Sequence, residues 1–178
     1  MAEIILKNWS PADCTPNLLA EFRRYQDVRR CWRRENDTWV LKDIAYIGDW
    51  DNAQKAVVIT QLRTCLQEGG WAMGAYDGDT LVAFASVAVT AFGTRGQYRN
   101  LDKIQTSADY RNRGIGRRLF AAACDWARTQ NAEKLYISAH SAEDSIAFYR
   151  KIGCVDAVEI NQRLAANEPC DCQLEFVL

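Results

Sequence analysis

The stretch Ile104-Gln105-Thr106-Ser107-Ala108-Asp109-Tyr110-Arg111-Asn112-Arg113-Gly114-Ile115-Gly116-Arg117-Arg118-Leu119 decides the fold. An extended run from Gln97 to Thr106 passes through a loop with two glycines into a helix. That helix carries an apolar stripe of Ile115, Leu119, Ala123, Trp126 and Ala127. A strand-to-helix turn of this kind presents free backbone N–H groups and a positive helix end, both suited to phosphate. Gly114 and Gly116 lack a Cβ, so a ligand can approach the backbone closely. Arg111, Arg113, Arg117 and Arg118 add cationic donors within reach of phosphate oxygens. A Walker loop is excluded, because the second glycine is followed by Arg-Arg and not Lys-Ser/Thr. A dinucleotide fingerprint is excluded too, since position 119 is Leu where a third Gly is required. The competing reading is a solvated helix start, although arginines there oppose the helix dipole.

Working outward, Lys134 to Ser138 reads as a short strand, and Ser141 opens a helix with Asp144 as a capping-box-like partner that Gly153 ends. Cys154 to Val158 and Gln173 to Val177 read as closing strands. Upstream, Trp71 to Tyr76 and Thr80 to Thr90 form a hairpin about Asp77-Gly78-Asp79, and a third strand follows Gly93 to Gly96, so the meander is antiparallel. Asp51 caps a helix that ends at Gly69-Gly70. Thr15-Pro16 starts an earlier one, with Leu18, Leu19, Phe22, Tyr25 and Val28 at helical spacing, running through Trp32 until Asn36-Asp37 breaks it. Glu3 to Lys7 is an opening strand, and Thr38 to Ile44 a strand or extended loop. The expected architecture is α/β with α+β character: three layers, a mixed and mostly antiparallel sheet of about seven strands, and helices on both faces.

The chain has 178 residues, 48% of them hydrophobic and 25% charged, with 3 Pro and 10 Gly, which suits one folded domain and excludes a disordered chain. Lys plus Arg is 22 against 23 for Asp plus Glu, a net charge of −1 that argues against a dedicated nucleic-acid partner. No apolar run spans a bilayer, and the first residues lack the basic start of a signal peptide. Seven cysteines at irregular spacing read as free thiols in a cytoplasmic protein. Cys170-Asp171-Cys172 has no second ligand pair, and His140 is the one histidine, so no metal site is expected.

Arg111-x-x-Gly114-x-Gly116 after Ile104-Gln105-Thr106 resembles the acetyl-CoA signature of the GNAT N-acetyltransferase superfamily. Lys134-Leu-Tyr-Ile-Ser-Ala-His140 resembles that family's fifth strand. Ala147-Phe148-Tyr149-Arg150-Lys151-Ile152-Gly153 resembles its FYxxxGF helix ending, with Cys154 in place of the usual Phe. The resemblance covers residues 71–160. It implies one domain over 1–178, with substrate-side helices in 1–70, an acetyl-CoA-binding core in 71–160 and a closing strand in 161–178.

The resemblance also implies roles. Strand 97–106 splays from strand 134–138, and Ile104, Gln105 and Thr106 pair with the pantetheine arm through their backbone. Arg111, Asn112, Arg113, Gly114, Ile115, Gly116 and Arg117 wrap the pyrophosphate, and an N–H near Thr106 stabilises the oxyanion. An amine attacks the thioester directly, with Tyr149 as general acid. A phenol of pKa about 10 is closely matched to a thiolate of pKa about 8.5. Tyr149 also reads as a packing residue. Asp102, on the face of Ile104 and Thr106 by the strand's period of two, is the candidate base; it equally reads as a surface partner of Lys103 or Arg95, and a water relay replaces it in a third reading. Many relatives carry Asn where this chain has Ala142, which leaves that contact with the arm to Ser141 or Ser145.

The acceptor is expected to be a small cationic amine or a peptidyl amine. Asp43 to Asp51 places acids beside Tyr46 and Trp50, a mouth suited to cations, or else a solvated loop with Asp51 as helix cap. The Arg23-Arg24, Arg29-Arg30 and Arg33-Arg34 doublets read as a solvated helix face, or as a second anion patch. A monomer or homodimer is expected, and the alternative function is an acyl-CoA-binding sensor without turnover.

Overall fold

The computed structural model describes residues 3–178. Its strands are β1 (Ile5–Asn8), β2 (Gln26–Glu35), β3 (Thr38–Gly48), β4 (Trp71–Asp77), β5 (Thr80–Val87), β6 (Tyr98–Thr106), β7 (Lys134–Ala139), β8 (Val155–Asp156) and β9 (Cys172–Val177). The helices are α1 (Asn52–Gln67), α2 (Ile115–Thr129), α3 (Glu143–Lys151) and α4 (Gln162–Asn167). Seven strands form one sheet in the order β1-β4-β5-β6-β7-β9-β8, and β2 and β3 form a separate antiparallel pair. Every neighbour in the large sheet is antiparallel except β6 and β7. This is the expected three-layer mixed α/β architecture.

Side-chain alternation on β5 assigns the two faces. Phe84 joins Trp9, Phe22 and the α1 residues Val58, Ile59 and Leu62 in one core. Ala83 and Ala85 join Leu119, Ala123 and Ala127 of α2, with Ile146 of α3, in the other. Burying Leu119 completely stabilises the α2 layer by about 1.5–3 kcal/mol. Asp51 caps α1 as expected, accepting the Gln54 N–H at 2.8 Å.

The helix expected from Thr15 to Trp32 is corrected. Residues 16–21 form successive turns, and Gln26 to Glu35 is a strand. Leu19 and Phe22 are buried as their spacing suggested, but in the α1-side core from turns. Asn36 and Asp37, with φ of 47° and 63°, form the two-residue turn of a hairpin and do not break a helix. The capping box at Ser141 is corrected too: α3 begins at Glu143 behind Ala142, with no side-chain cap.

Candidate functional site

The large sheet is forked at its one parallel pair. β6 and β7 are paired only at Tyr98↔Lys134, Arg99↔Leu135 and Asn100↔Tyr136. Beyond Asn100, β6 runs on to Thr106 beside β5 alone, while β7 runs on to Ala139 beside β9. The inner edge of Ile104, Gln105 and Thr106 therefore faces the opening. Strands that diverge leave main-chain groups for another extended chain to pair with.

A bulge marks the fork. Register passes from Ser86↔Lys103 to Val87↔Leu101, which leaves Asp102 without a residue opposite. Leu101 and Ile104 face the α2 side, and Thr106 Oγ1 stands 3.7 Å from where a Gly116 Cβ would lie. Asp102 does not share that face, because the extra residue breaks the period of two. Its charge acts instead on Cys65 of α1, whose thiol is pushed up to about 11 by burial first and by Asp102 next. The carboxylate pairs with Lys103 Nζ at 2.9 Å.

The loop from Ser107 to Gly114 leads into α2. Asn112 has φ 61° and Gly114, the residue before the helix, has φ 77°; no side chain caps the helix start. A Cβ at Gly114 would meet nothing within 4 Å, whereas one at Gly116 would lie 3.4 Å from the Phe148 ring of α3. So Gly114 borders open space and Gly116 lets α3 approach. The arginines are distributed differently from the sequence expectation. Arg111 donates to the carbonyls of Thr106 at 3.1 Å and Arg24 at 2.7 Å. Arg113 stacks on Tyr110 at 4.8 Å and donates to the Asp109 carbonyl. Arg118 donates to the Ile4 carbonyl. Arg117 is exposed and has no salt-bridge partner among the described residues. Arg117 is thus the one of the four without a hydrogen bond among the described residues, while Arg113 and Arg118 each commit one nitrogen to a carbonyl and Arg111 is tied at two.

Tyr149 lies on α3, partly buried against the α2-side core. Burial raises its phenol above the ordinary range, with smaller upward contributions from Cys154 and Asp171. It therefore holds its proton at neutral pH. Ser141 is buried and its Oγ accepts from Arg33 at 2.7 Å; Ser145 Oγ stands 3.4 Å from Gln26 Nε2.

Several site residues were not anticipated. The segment leading into β2 crosses from one prong of the fork to the other. The Arg23 N–H donates to Ser107 Oγ, and its carbonyl accepts from the Ala108 N–H. Gln26 Nε2 donates to Asp144, the Trp32 N–H to the Ser141 carbonyl, and Arg30 to Glu143. The arginine doublets are thus partly ties between elements and not a solvated helix face. Tyr46 Oη lies 2.6 Å from Nε2 of His140, whose imidazole is held neutral by burial and by Arg24. Trp50 stacks on Phe22 and Asp49 accepts the Trp50 N–H, so that stretch serves packing and capping more than a mouth for cations.

A polar chain lines the α1 side of β7 and β9. Tyr136 Oη donates to Gln173 Oε1, Gln173 Nε2 donates to Ser138 Oγ at 3.0 Å, and Ser138 Oγ donates to Asp171 Oδ2 at 3.1 Å. Asp171 is half-buried, and burial pushes its carboxyl up to about 6. Its sequence neighbours gave no signal of this, because its hydrogen-bond partner Ser138 lies 33 positions away.

Comparison of the whole chain with solved structures gives full-length matches. A protein assigned as a streptothricin acetyltransferase from Bacillus anthracis str. Ames, solved with acetyl coenzyme A, superposes with TM-score 0.72 at 14% identity, covering 99% of each chain. A nourseothricin acetyltransferase superposes with TM-score 0.63 at 16% identity over 97% of this chain and 95% of its own. The PaiA N-acetyltransferase of Thermoplasma acidophilum, solved with coenzyme A, gives 0.59 at 13% identity and 99% of each. At these identities the likeness is one of fold. Among curated protein sequences none matches. The model of the Acetyltransferase (GNAT) family matches residues 18–154, a span that takes in the fork, the glycine loop and Tyr149, and the chain belongs to that family.

Proposed function

We propose that the chain is an acetyl-CoA-dependent N-acetyltransferase that acts on a primary amine. The observation that carries this is the fork: an unpaired edge at Ile104–Thr106 leads straight to an uncapped helix start beside the open Gly114. An extended amide-bearing arm fits the first, and a pyrophosphate fits the second. Two full-length structural neighbours were solved with acetyl coenzyme A or coenzyme A, which supports the same ligand here.

In this reading the backbone N–H groups of Asn112 to Arg117 hold the pyrophosphate, with Arg117 adding charge. The side chains of Arg111 and Arg113 shape the loop. Ser141 and Ser145 border the arm from the β7 side. A backbone N–H near Thr106 polarises the thioester carbonyl toward the amine. Tyr149 donates its proton to the departing thiolate; burial keeps the phenol protonated and also makes it a weaker acid than free tyrosine. Asp102 is paired with Lys103 through Oδ2 and lies off the face of Ile104 and Thr106.

Calorimetric titration with acetyl-CoA, followed by a free-thiol assay over spermidine, kanamycin and a lysine tripeptide, tests the reading. Saturable binding with amine-dependent thiol release is the expected result. Binding without release from any amine replaces turnover with an acyl-CoA-binding module, and absence of binding removes both.

A further inference from the structure

Beyond Asn100 no ladder joins β6 to β7, so a carbonyl held between them would border both faces of the sheet. Tyr149 stands on the α2 and α3 side, with Leu135, Ile137 and Ala139 of β7. Tyr136, Ser138, Asp171 and Gln173 stand on the opposite side, because Cys172 and Leu174 of β9 point into the α2-side core and their neighbours alternate away from it. The polar chain therefore lies across the sheet from the phenol.

Asp171 is unusual on that side. It precedes β9, and its backbone is fixed by its N–H donating to the Glu168 carbonyl at 3.0 Å and by Cys172 pairing with Ala139. Ser138 supplies one hydrogen bond to Oδ2. Among the described residues no cation pairs with the carboxylate, although it is half-buried. A carboxylate in that position is costly unless a cation or donor joins it. Ser86 Oγ of β5 and Asn100 Oδ1, at the last residue of β6 to pair with β7, are both buried, lie on the same side of the sheet and have no partner among the described residues. The face away from Tyr149 thus carries two unpaired polar atoms on β5 and β6 and, held against the diverging part of β7 by Ser138, one carboxylate without a cation.

Resting on the acetyl-transfer reading, we propose that Asp171 is the general base: it receives the ammonium group of the acceptor on the α1 side of the fork and takes its proton. The balance is as follows. The ammonium gives one proton to the Asp171 carboxylate, which passes it to water. The neutral nitrogen attacks the thioester carbon, the N–C bond forms and the C–S bond breaks. The sulfur takes a proton from Tyr149, and the proton lost by the attacking nitrogen refills the phenol. The products are the amide, the free thiol and one proton released. A carboxyl raised to about 6 stands closer to an amine than an ordinary carboxylate does and is still ionised at neutral pH. Ser138 and Gln173 are positioning residues. The groups that face Asp171 are Ser138 from β7, Gln173 from β9 and Glu168 from the preceding turn, while Tyr149 and Cys172, on the other side of the sheet, feel its charge from there.

The test is the pH dependence of kcat for wild type, Asp171→Asn and Ser138→Ala, with whichever of spermidine, kanamycin or the lysine tripeptide the wild type acetylates. Wild type should lose rate below a limb near pH 6. The acceptor's own ionisation, at about 10 for a lysine-like amine, leaves that limb separate. Asp171→Asn should lower kcat roughly 10²- to 10³-fold, remove the limb and keep acetyl-CoA affinity unchanged. Ser138→Ala should move the limb to higher pH, since it removes the hydrogen bond that favours the ionised carboxyl. An active wild type whose limb persists in Asp171→Asn overturns the assignment. If that variant fails to fold, an unmoved limb in Ser138→Ala overturns it. A wild type that acetylates none of the three amines overturns the acetyl-transfer reading, and this inference with it.

Discussion

Glu175 offers a direct test of how the closed end of the fork is held. It is 2% exposed, yet it carries a charge. Three donors converge on it: Tyr98 Oη at 2.5 Å, Lys134 Nζ at 2.6 Å and the Val158 N–H at 3.0 Å. Tyr98 opens β6, Lys134 opens β7 and Glu175 lies on β9, so one carboxylate joins three strands where β6 and β7 still pair. Burial pushes the carboxyl up, but the hydrogen bonds from Lys134, Tyr98 and Val158 outweigh it and hold it below the ordinary range. Glu175→Ala strands the lysine and the phenol and should cost about 3–5 kcal/mol. For a chain of this size that is a fall in Tm of about 6–20 °C. Glu175→Gln keeps the shape and loses the charge, for about 1.5–3 kcal/mol. The sign with pH follows from the lowered carboxyl. Its contribution is complete above the unfolded value of about 4.3 and is lost as pH falls through the lower folded value. The gap in Tm between wild type and Glu175→Gln should therefore be constant at neutral pH and close in acid. Differential scanning calorimetry from neutral to acid pH checks this. A fall of less than about 2 °C for Glu175→Ala, or a gap that does not change in acid, would refute the account of the pinned junction.

Three further outcomes are expected. Tyr149→Phe should lower kcat in the thiol assay while calorimetric acetyl-CoA affinity stays within about twofold; equal turnover removes Tyr149 from the acid role. Gly114→Asp should fold, because a Cβ there meets open space and Asp tolerates a φ of 77° better than most residues, yet it should bind acetyl-CoA at least about tenfold more weakly through repulsion of phosphate. Unchanged affinity contradicts the phosphate-loop reading. Asp51→Ala should lower stability by about 1 kcal/mol in urea titration through loss of the α1 cap, with acetyl-CoA affinity unaffected.

The chain from Trp71 onward was the more legible in sequence. Its elements are short-range: a hairpin turn at Gly78, a strand-loop-helix at residues 104–119 and a helix stop at Gly153, each set by neighbours a few positions away. The first third was misread because Leu18, Leu19, Phe22, Tyr25 and Val28 satisfy helical spacing while serving two structures, a run of turns and then a strand. The turn at Asn36-Asp37, between β-rich segments on both sides, was the available signal, and turn chemistry overrode the periodicity. Within the candidate site, the glycine loop and Tyr149 are proposed from their motifs. The side of the sheet taken by Asp102 was not legible, since a single extra residue reverses the alternation after it. Asp171 and Glu175 acquire their character from partners on other strands, which spacing alone cannot supply.

The short junction between β6 and β7 also has a mechanical meaning. Three residue pairs join a four-stranded plate, β1-β4-β5-β6, to a three-stranded plate, β7-β9-β8. A seam so narrow, pinned at one end and open at the other, bends more easily than an uninterrupted sheet. The crossing segment at Arg23–Gln26 acts as a tie-bar between the free ends, holding Ser107 and Asp144 at a set span. A molecule inserted along the gap would serve as the missing rung between two plates that are otherwise joined only by the seam, the tie-bar and the core beneath α2, so occupancy of the fork should be felt as stiffness in both halves of the protein.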